Sequence, residues 1–121
     1  MCRLALCLVL VVAAGTMPIP ALSHAFLTEA TPRVGGTVRA SPREIRLTFT
    51  EAVEPRFSGI DVTAAGGHPI GTGPAVVDPA NDKQLVLALS PLAPGTYRVH
   101  WHVVSVDTHR TEGEYNFTVA R

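Results

Sequence analysis

The stretch VDTH near the end of the chain holds the pair of residues with the clearest capacity for chemistry, Asp107 and His109. They lie two positions apart, where a long alternating strand gives way to a glycine-bearing turn, and at this spacing two side chains can point the same way. A carboxylate oxygen and an imidazole nitrogen suit a borderline divalent metal ion. Such a pair is common, and the alternative is an aspartate that caps the turn beside an exposed histidine.

A second set of donors depends on where the chain is cut on export. The chain starts with a positive residue, a short apolar run and then small residues, which are the features of an export signal. Cleavage after Ser23 makes residues 1–23 a signal peptide and residues 24–121 an exported mature domain. Cleavage after Ala25 satisfies the same rule for small residues, and the residues alone leave both cuts open.

Cleavage after Ser23 would place His24 at a free N-terminus, where its α-amine and its imidazole form a bidentate metal ligand. The pKa of an α-amine is about 7.7, so a metal ion displaces its proton easily. Together with Asp107 and His109 this gives three nitrogens and one oxygen, a donor set that favours tetragonal Cu(II). The alternative is that His24 is a flexible terminal residue that binds no metal.

The predicted mature domain contains no sulfur, because both cysteines and both methionines precede residue 24. Disulfides and soft-metal sites are therefore excluded from it, and any metal must be bound by nitrogen and oxygen. The 98 residues that remain suffice for one small domain. The whole chain has ten basic and ten acidic residues, and this balance argues against nucleic acid or an anionic membrane as the main partner.

The other three histidines lie in two segments. His100 and His102 alternate with apolar residues in RVHWHVV, so they share the outer face of a strand. Such a pair can supply two zinc ligands, but two solvated side chains are the more common outcome. His68 follows two glycines in a turn, where it is either an accessory ligand or a plain loop residue.

The fold class follows from hydrophobic alternation with a period of two, which predicts β-strands. The segments that show it are residues 44–51, 58–65, 84–90, 96–106 and 114–119. Turn-forming Gly, Pro, Asn, Asp and Ser separate them, and no segment has a helical period. Short strands at regular spacing predict an all-β sandwich or barrel. No nucleophile motif, phosphate-binding glycine loop or paired carboxylates indicate catalysis.

The mature chain resembles the CopC family of exported copper-binding proteins, including the PcoC type, along nearly its whole length. The resemblance is carried by HAFLTEATPRVGG at the new N-terminus, IRLTFTEAVEPRFSGIDV in the middle, and LAPGTYRVHWHVVSVDTHRTEGEYNFTV at the end. The last stretch is the most specific. It combines a PGTY turn, a strand with a tryptophan, a VSxDxH segment and a glycine-bearing turn into an F-x-V strand.

The resemblance implies a small Greek-key β-barrel, cupredoxin-like or immunoglobulin-like, that binds Cu(II) through His24, Asp107 and His109. It also implies that the mature chain begins at His24, and that Glu51 supports this histidine from a second shell. Some members carry a methionine cluster for Cu(I) after the segment FSG, but this chain has no sulfur there and retains only His68. The resemblance therefore implies a Cu(II) site without a Cu(I) site.

Three functions compete at this point. The first is a monomeric periplasmic Cu(II) carrier that buffers copper in homeostasis and resistance, or delivers it to a membrane importer of the CopD kind. The second is a copper-brace redox enzyme, which we do not favour because Asp107, as a charged ligand, would stabilise Cu(II) and hinder cycling to Cu(I). The third is a structural sandwich whose histidines are incidental.

Overall fold

The computed structural model describes residues 25–121, which form two β-sheets around one hydrophobic core. The predicted signal peptide and His24 lie outside the described residues. In chain order the strands are β1 (Leu27–Thr31), β2 (Thr37–Val38), β3 (Glu44–Phe49), β4 (Gly59–Ala64), β5 (Val76–Asp78), β6 (Asn81–Ala88), β7 (Gly95–Val104) and β8 (Arg110–Val119). A single turn of 3-10 helix, Pro55–Phe57, precedes β4. The prediction of an all-β sandwich is confirmed.

Each sheet has four strands, in the orders β1-β3-β6-β5 and β2-β8-β7-β4. All neighbours are antiparallel except β2 and β8, which run parallel. Strands β7 and β8 pair along their full length, from Gly95 opposite Val119 to Val104 opposite Arg110. This hairpin is the scaffold of the candidate site, because the short connection between its strands carries Asp107 and His109.

Strand β7 alternates between the core and the outer face, as its sequence predicts. Its buried residues are Tyr97, Val99, Trp101 and Val103. Trp101 meets Phe49 of the other sheet edge to face, with ring centroids 5.2 Å apart, which is a favourable geometry for an aromatic pair. His100 and His102 therefore lie on the outer face, each partly exposed. Within residues 25–121, no helix has the length and apolarity needed to cross a membrane.

The sequence predicts a turn over DTHRTEG that includes Gly113; the turn is present at its start, but the assignment of Gly113 to it is wrong. Strand β8 begins at Arg110, and Gly113 lies inside it, directly opposite Trp101. A Cβ atom at position 113 would lie 2.6 Å from Cζ2 of the buried Trp101 ring. Glycine at this position therefore permits a close approach between an aromatic ring and the neighbouring strand, rather than a turn.

Candidate metal centre

The connection between β7 and β8 is a tight turn over residues 105–109. The amide of Ser105 donates to the carbonyl of His109 over 2.9 Å, and the amide of Thr108 donates to the carbonyl of Ser105 over 2.8 Å. Thr108 has a φ of 74°, in the left-handed region that a β-branched residue rarely adopts. The turn therefore reverses the chain within a few residues and contains local backbone strain.

Asp107 and His109 come together on this turn. Asp107 Oδ1 and His109 Nδ1 are 3.4 Å apart, and the two side chains are 41% and 38% exposed. The two side chains are thus close together and partly exposed, while the Nδ1 atom of His109 is itself buried against the turn. The sequence prediction that the two side chains point the same way is consistent with this geometry.

The buried Ser105 positions the carboxylate of this pair. Its hydroxyl donates a hydrogen bond to Asp107 Oδ1 and contacts the carbonyl of His109 at 3.3 Å. The hydrogen bond from Ser105 holds the pKa of Asp107 below its usual range. Desolvation opposes this effect in part, and the hydrogen bond with His109 adds a smaller lowering. Asp107 is therefore ionised at neutral pH and carries the negative charge that a cation site needs.

The segment after β3 lies against the same turn. The amide of Val106 donates to the carbonyl of Ala52 over 3.1 Å, and Val53 forms an isolated bridge with Ser105. Glu51 immediately precedes Ala52 and is partly buried. The predicted supporting residue thus belongs to a segment that touches the turn.

The first described residues are also held at this end of the sandwich. Ala25 is fully buried, and its carbonyl accepts a 2.6 Å hydrogen bond from the hydroxyl of Thr111, two residues after His109. Phe26 exchanges hydrogen bonds with Thr50, since its amide donates to Thr50 Oγ1 over 3.0 Å and its carbonyl accepts from the amide of Thr50 over 2.9 Å. The chain therefore begins its described part beside the turn that carries Asp107.

His68 lies at the opposite end of the sheet. Its carbonyl accepts from the amide of Ala64, and Ala64 pairs with Tyr97 near the start of β7, whereas the turn follows the end of β7. At about 3.3 Å per residue along a strand, roughly 30 Å separates the two ends of the ten-residue strand β7. The structure thus does not bring His68 to Asp107 and His109, and any ligand role for it would require partners of its own.

His100 and His102 are not part of the turn either. They lie on the outer face of the sheet, with ring centroids 6.4 Å apart. Asp61 on the neighbouring strand β4 comes close to both, so that one ligand atom of each of the three residues lies within 4.8 Å of the others. The sequence predicts that His100 and His102 are two solvated side chains, and it gives no sign that the carboxylate of Asp61 lies beside them.

Sequence reasoning missed three residues that shape these sites. Ser105 gives no signal in a linear pattern beyond its position two residues before an aspartate. Thr111 bonds Ala25 and Asp61 pairs with His100, and these partners are distant in sequence and meet only in the fold. Alternation in SGIDVT does predict that Asp61 faces outward, but not which strand it adjoins.

The fold and the turn define a small β-sandwich with nitrogen and oxygen donors at one end, and comparison with known proteins gives its family. Residues 27–120 match the sequence model of the CopC domain. Protein YobA of Escherichia coli K12 is 46% identical over 98 residues, which cover 80% of this chain and 79% of YobA. Copper resistance protein C of Escherichia coli is 38% identical over 106 residues, covering 82% of this chain and 83% of that protein. The chain belongs to the CopC family.

Solved structures agree with this assignment. The crystal structure of CopC from Methylosinus trichosporium OB3b is 37% identical and superposes with a TM-score of 0.76, over 80% of this chain and 94% of that one. A more distant match, 24% identical over 106 residues, is copper transport protein CutJ of Bacillus subtilis, of which the matched part is only 20%. A domain of this kind thus occurs both as a small protein and within a larger one.

Proposed function

We propose that this protein is an exported Cu(II) carrier in copper homeostasis and resistance, whose site consists of His24, Asp107 and His109. His24 contributes its α-amine and its imidazole once the chain is cut after Ser23. The protein holds copper in the periplasm, as a buffer or as cargo, and does not transform a substrate. Membership of the CopC family supports the copper role, because relatives in it are named for copper resistance and copper transport.

The observation that carries the site assignment is the hydrogen bond between Ala25 and Thr111. It fixes the residue next to His24 at the start of β8, two residues after His109. In this proposal, the N-terminal amine of a chain cut after Ser23, one residue before the anchored Ala25, completes the ligand set that Asp107 and His109 begin.

The chemistry of the donors favours Cu(II) as the cargo. Two imidazoles, an amine and a carboxylate suit a tetragonal divalent ion, and copper heads the affinity series of the divalent metals. The described residues contain no cysteine or methionine, which are the ligands that Cu(I) prefers. The ionised Asp107 adds a charge that stabilises Cu(II) further, which suits a carrier better than a redox enzyme.

Glu51 fits the role of a supporting residue in this proposal. It stands between Thr50, which bonds Phe26, and Ala52, which bonds Val106. The carboxylate therefore belongs to the segment that joins the N-terminal residues to the turn. From there it would orient the imidazole of His24, as carboxylates commonly do for histidines that bind metals.

Delivery to a membrane copper importer of the CopD kind completes the proposal. Copper transport protein CutJ includes a region similar to this chain in about a fifth of its length, and this arrangement supports a domain that works beside a transporter. Phe26 and Val106, which flank the site, are 59% and 56% exposed, so the entrance to the site has apolar surface for a partner.

Intact mass of the protein recovered from the periplasm, with and without Cu(II), tests this proposal. The expected result is a chain that begins at His24 and gains one tightly held copper, with a tetragonal electron paramagnetic resonance signal that shows nitrogen couplings. His68→Ala is the matched control and should change neither. A mature chain that begins at Phe26, or tight copper that survives His109→Ala and Asp107→Ala together, would contradict the site.

A further inference from the structure

We propose a second metal site on the outer face of the sheet, formed by His100, His102 and Asp61, that takes a borderline divalent cation such as Zn²⁺ or Cu²⁺. It is separate from the proposed copper site in residues and in place. One ligand atom of each residue lies within 4.8 Å of the others. Nitrogen and oxygen ligands of a tetrahedral Zn²⁺ stand about 3.3 Å apart, so small side-chain rotations complete the site.

Strand register is what brings the three residues together. Asp61 on β4 is directly opposite His100 on β7, and Gly59 on β4 is opposite His102. Because side chains at alternate positions share a face, all these positions lie on the outer face of the sheet. The backbone of a four-stranded sheet therefore fixes two imidazoles and a carboxylate beside one another, which reduces the entropy cost of binding an ion.

Gly59 determines where the ring of His102 lies. A Cβ atom at this position would be 2.7 Å from Cε1 and 3.2 Å from Nε2 of His102. The imidazole thus leans over β4, toward the strand that carries Asp61, into space that any larger residue at position 59 would fill. The absence of a side chain here is what allows His102 to approach the carboxylate.

His100 has a different neighbour at each ring nitrogen. Its Nδ1 is 3.8 Å from Asp61 Oδ2, and its Nε2 is 3.4 Å from Glu112 Oε2 on the opposite side. A metal held on the Asp61 side would leave Nε2–H directed at Glu112. A carboxylate that accepts from the second nitrogen of a histidine ligand fixes its tautomer and strengthens the metal bond.

The local charge also favours a cation. Asp61, Glu112 and Glu114 are carboxylates that surround the two histidines, with Glu114 opposite His100 and Glu112 opposite His102 on β8. Arg110 lies 3.9 Å from Glu112 and compensates part of this charge. His100 is 34% exposed and Asp61 is 74% exposed, so an ion can enter from solvent. This exposure, and the lack of an amine chelate, predict weaker binding than at the turn.

Equilibrium dialysis of the processed, metal-free protein against Cu²⁺ and, separately, Zn²⁺ tests this inference. Wild type and the control His68→Ala should retain a second equivalent at higher metal concentration, and the double variant His100→Ala and His102→Ala should lose it while it keeps the first. The double variant Asp107→Ala and His109→Ala should lose the first equivalent and keep the second. Failure of the proposed copper site and failure of this site thus give different results.

Two milder variants guard against a folding defect in the double variant. Asp61→Asn keeps the shape of the side chain but removes its charge, and Gly59→Ala keeps every donor but displaces the ring of His102. Each should weaken the second site at least tenfold, with an unchanged circular dichroism spectrum. In the Asp107 and His109 double variant, Zn²⁺ should shift the imidazole nitrogen resonances of His100 and His102. A second equivalent unaffected by these changes, or no second equivalent in wild type, overturns the inference.

Discussion

Two regions each carry a pair of possible metal ligands two positions apart in sequence. One is the turn with Asp107 and His109, and the other is strand β7 with His100 and His102. In the turn the backbone reverses, and the two donor atoms lie 3.4 Å apart. In the strand the backbone is extended, and the ligand atoms of His100 and His102 lie within 4.8 Å of each other, beside Asp61 of the neighbouring strand. Identical spacing thus gives a closer pair on the turn than along the strand, where a third ligand comes from β4.

The two regions also differ in what completes them. The turn adjoins the N-terminal segment through the bond from Thr111 to Ala25, so its missing donors would come from a chain end. The strand pair adjoins β4, so its additional donor, Asp61, is part of the same sheet. We infer that export processing controls the first site, whereas folding alone is enough for the second.

The largest expected effect is on the affinity for the first Cu(II) ion, which a substitution in the turn should lower much more than one in the strand pair. Loss of a residue that merely orients a metal ligand typically costs 10–100-fold in affinity, so loss of the ligand His109 should cost at least about a hundredfold. His100→Ala should change this affinity less than about twofold, because its ring faces Asp61 and not the turn. Competition titrations with a Cu(II) chelator measure both. Equal losses would mean that the strand pair is the main site.

Two glycines offer the next comparison, since a Cβ atom at either would contact an aromatic ring at 2.6–2.7 Å. Trp101, opposite Gly113, is buried and cannot move aside, so Gly113→Ala should lower the free energy of unfolding by about 1–3 kcal/mol. His102, opposite Gly59, is only partly buried and can rotate away, so Gly59→Ala should cost less than about 0.5 kcal/mol. Urea denaturation measures both, and a larger loss at Gly59 would contradict this account.

A smaller effect concerns strain in the turn. Thr108 has a φ of 74°, which costs a residue with a Cβ about 1–2 kcal/mol relative to glycine. Because glycine loses more entropy on folding, Thr108→Gly should raise the free energy of unfolding by only up to about 1 kcal/mol. The control Thr96→Gly, in the extended strand β7, should lower it by about 0.5–1 kcal/mol. Thermal melts distinguish the two signs, and a loss at Thr108 would show that its side chain has another role.

The smallest effect at neutral pH involves Tyr115 on β8, the strand that both regions share. Its hydroxyl is buried without a hydrogen-bond partner among residues 25–121, so Tyr115→Phe should leave stability at pH 7 unchanged or slightly higher. Burial raises the pKa of Tyr115 far above its ordinary value of about 10. The folded state therefore resists ionisation, and the stability present below about pH 10 declines as the pH rises further. Tyr115→Phe should unfold less readily than wild type above pH 10, and identical alkaline profiles would contradict this assignment.

Much of the fold could be predicted because the longer strands bury alternate residues. The segments predicted as strands correspond to β3, β4, β6, β7 and β8. Strands β1, β2 and β5 have no such pattern, because they have at most five residues and at most one of these is buried. Gly113 was assigned to a turn for a related reason, since the need for space beside Trp101 is a tertiary contact that no local pattern records.

The site was predictable where its residues are adjacent in sequence and not where they meet only in the fold. The spacing of Asp107 and His109 at the end of a predicted strand indicated that the two side chains point the same way, and their role as metal ligands stays a prediction. The hydroxyl of Ser105, the contact from Thr111 to Ala25 and the position of Asp61 beside His100 depend on burial or register. His24, which the resemblance implies as a ligand, stays a prediction.

The central claim is that cutting the bond between Ser23 and His24 creates the copper site. An intact peptide bond makes this nitrogen an amide, whose lone pair is delocalised and unavailable to a metal. We therefore compare Cu(II) affinity, by competition titration, of the processed protein and of a version with one additional methionine before His24. Circular dichroism should show that both are folded alike. The account predicts that the additional residue lowers the affinity by a few powers of ten, roughly 4 kcal/mol or more, and equal affinities would contradict it.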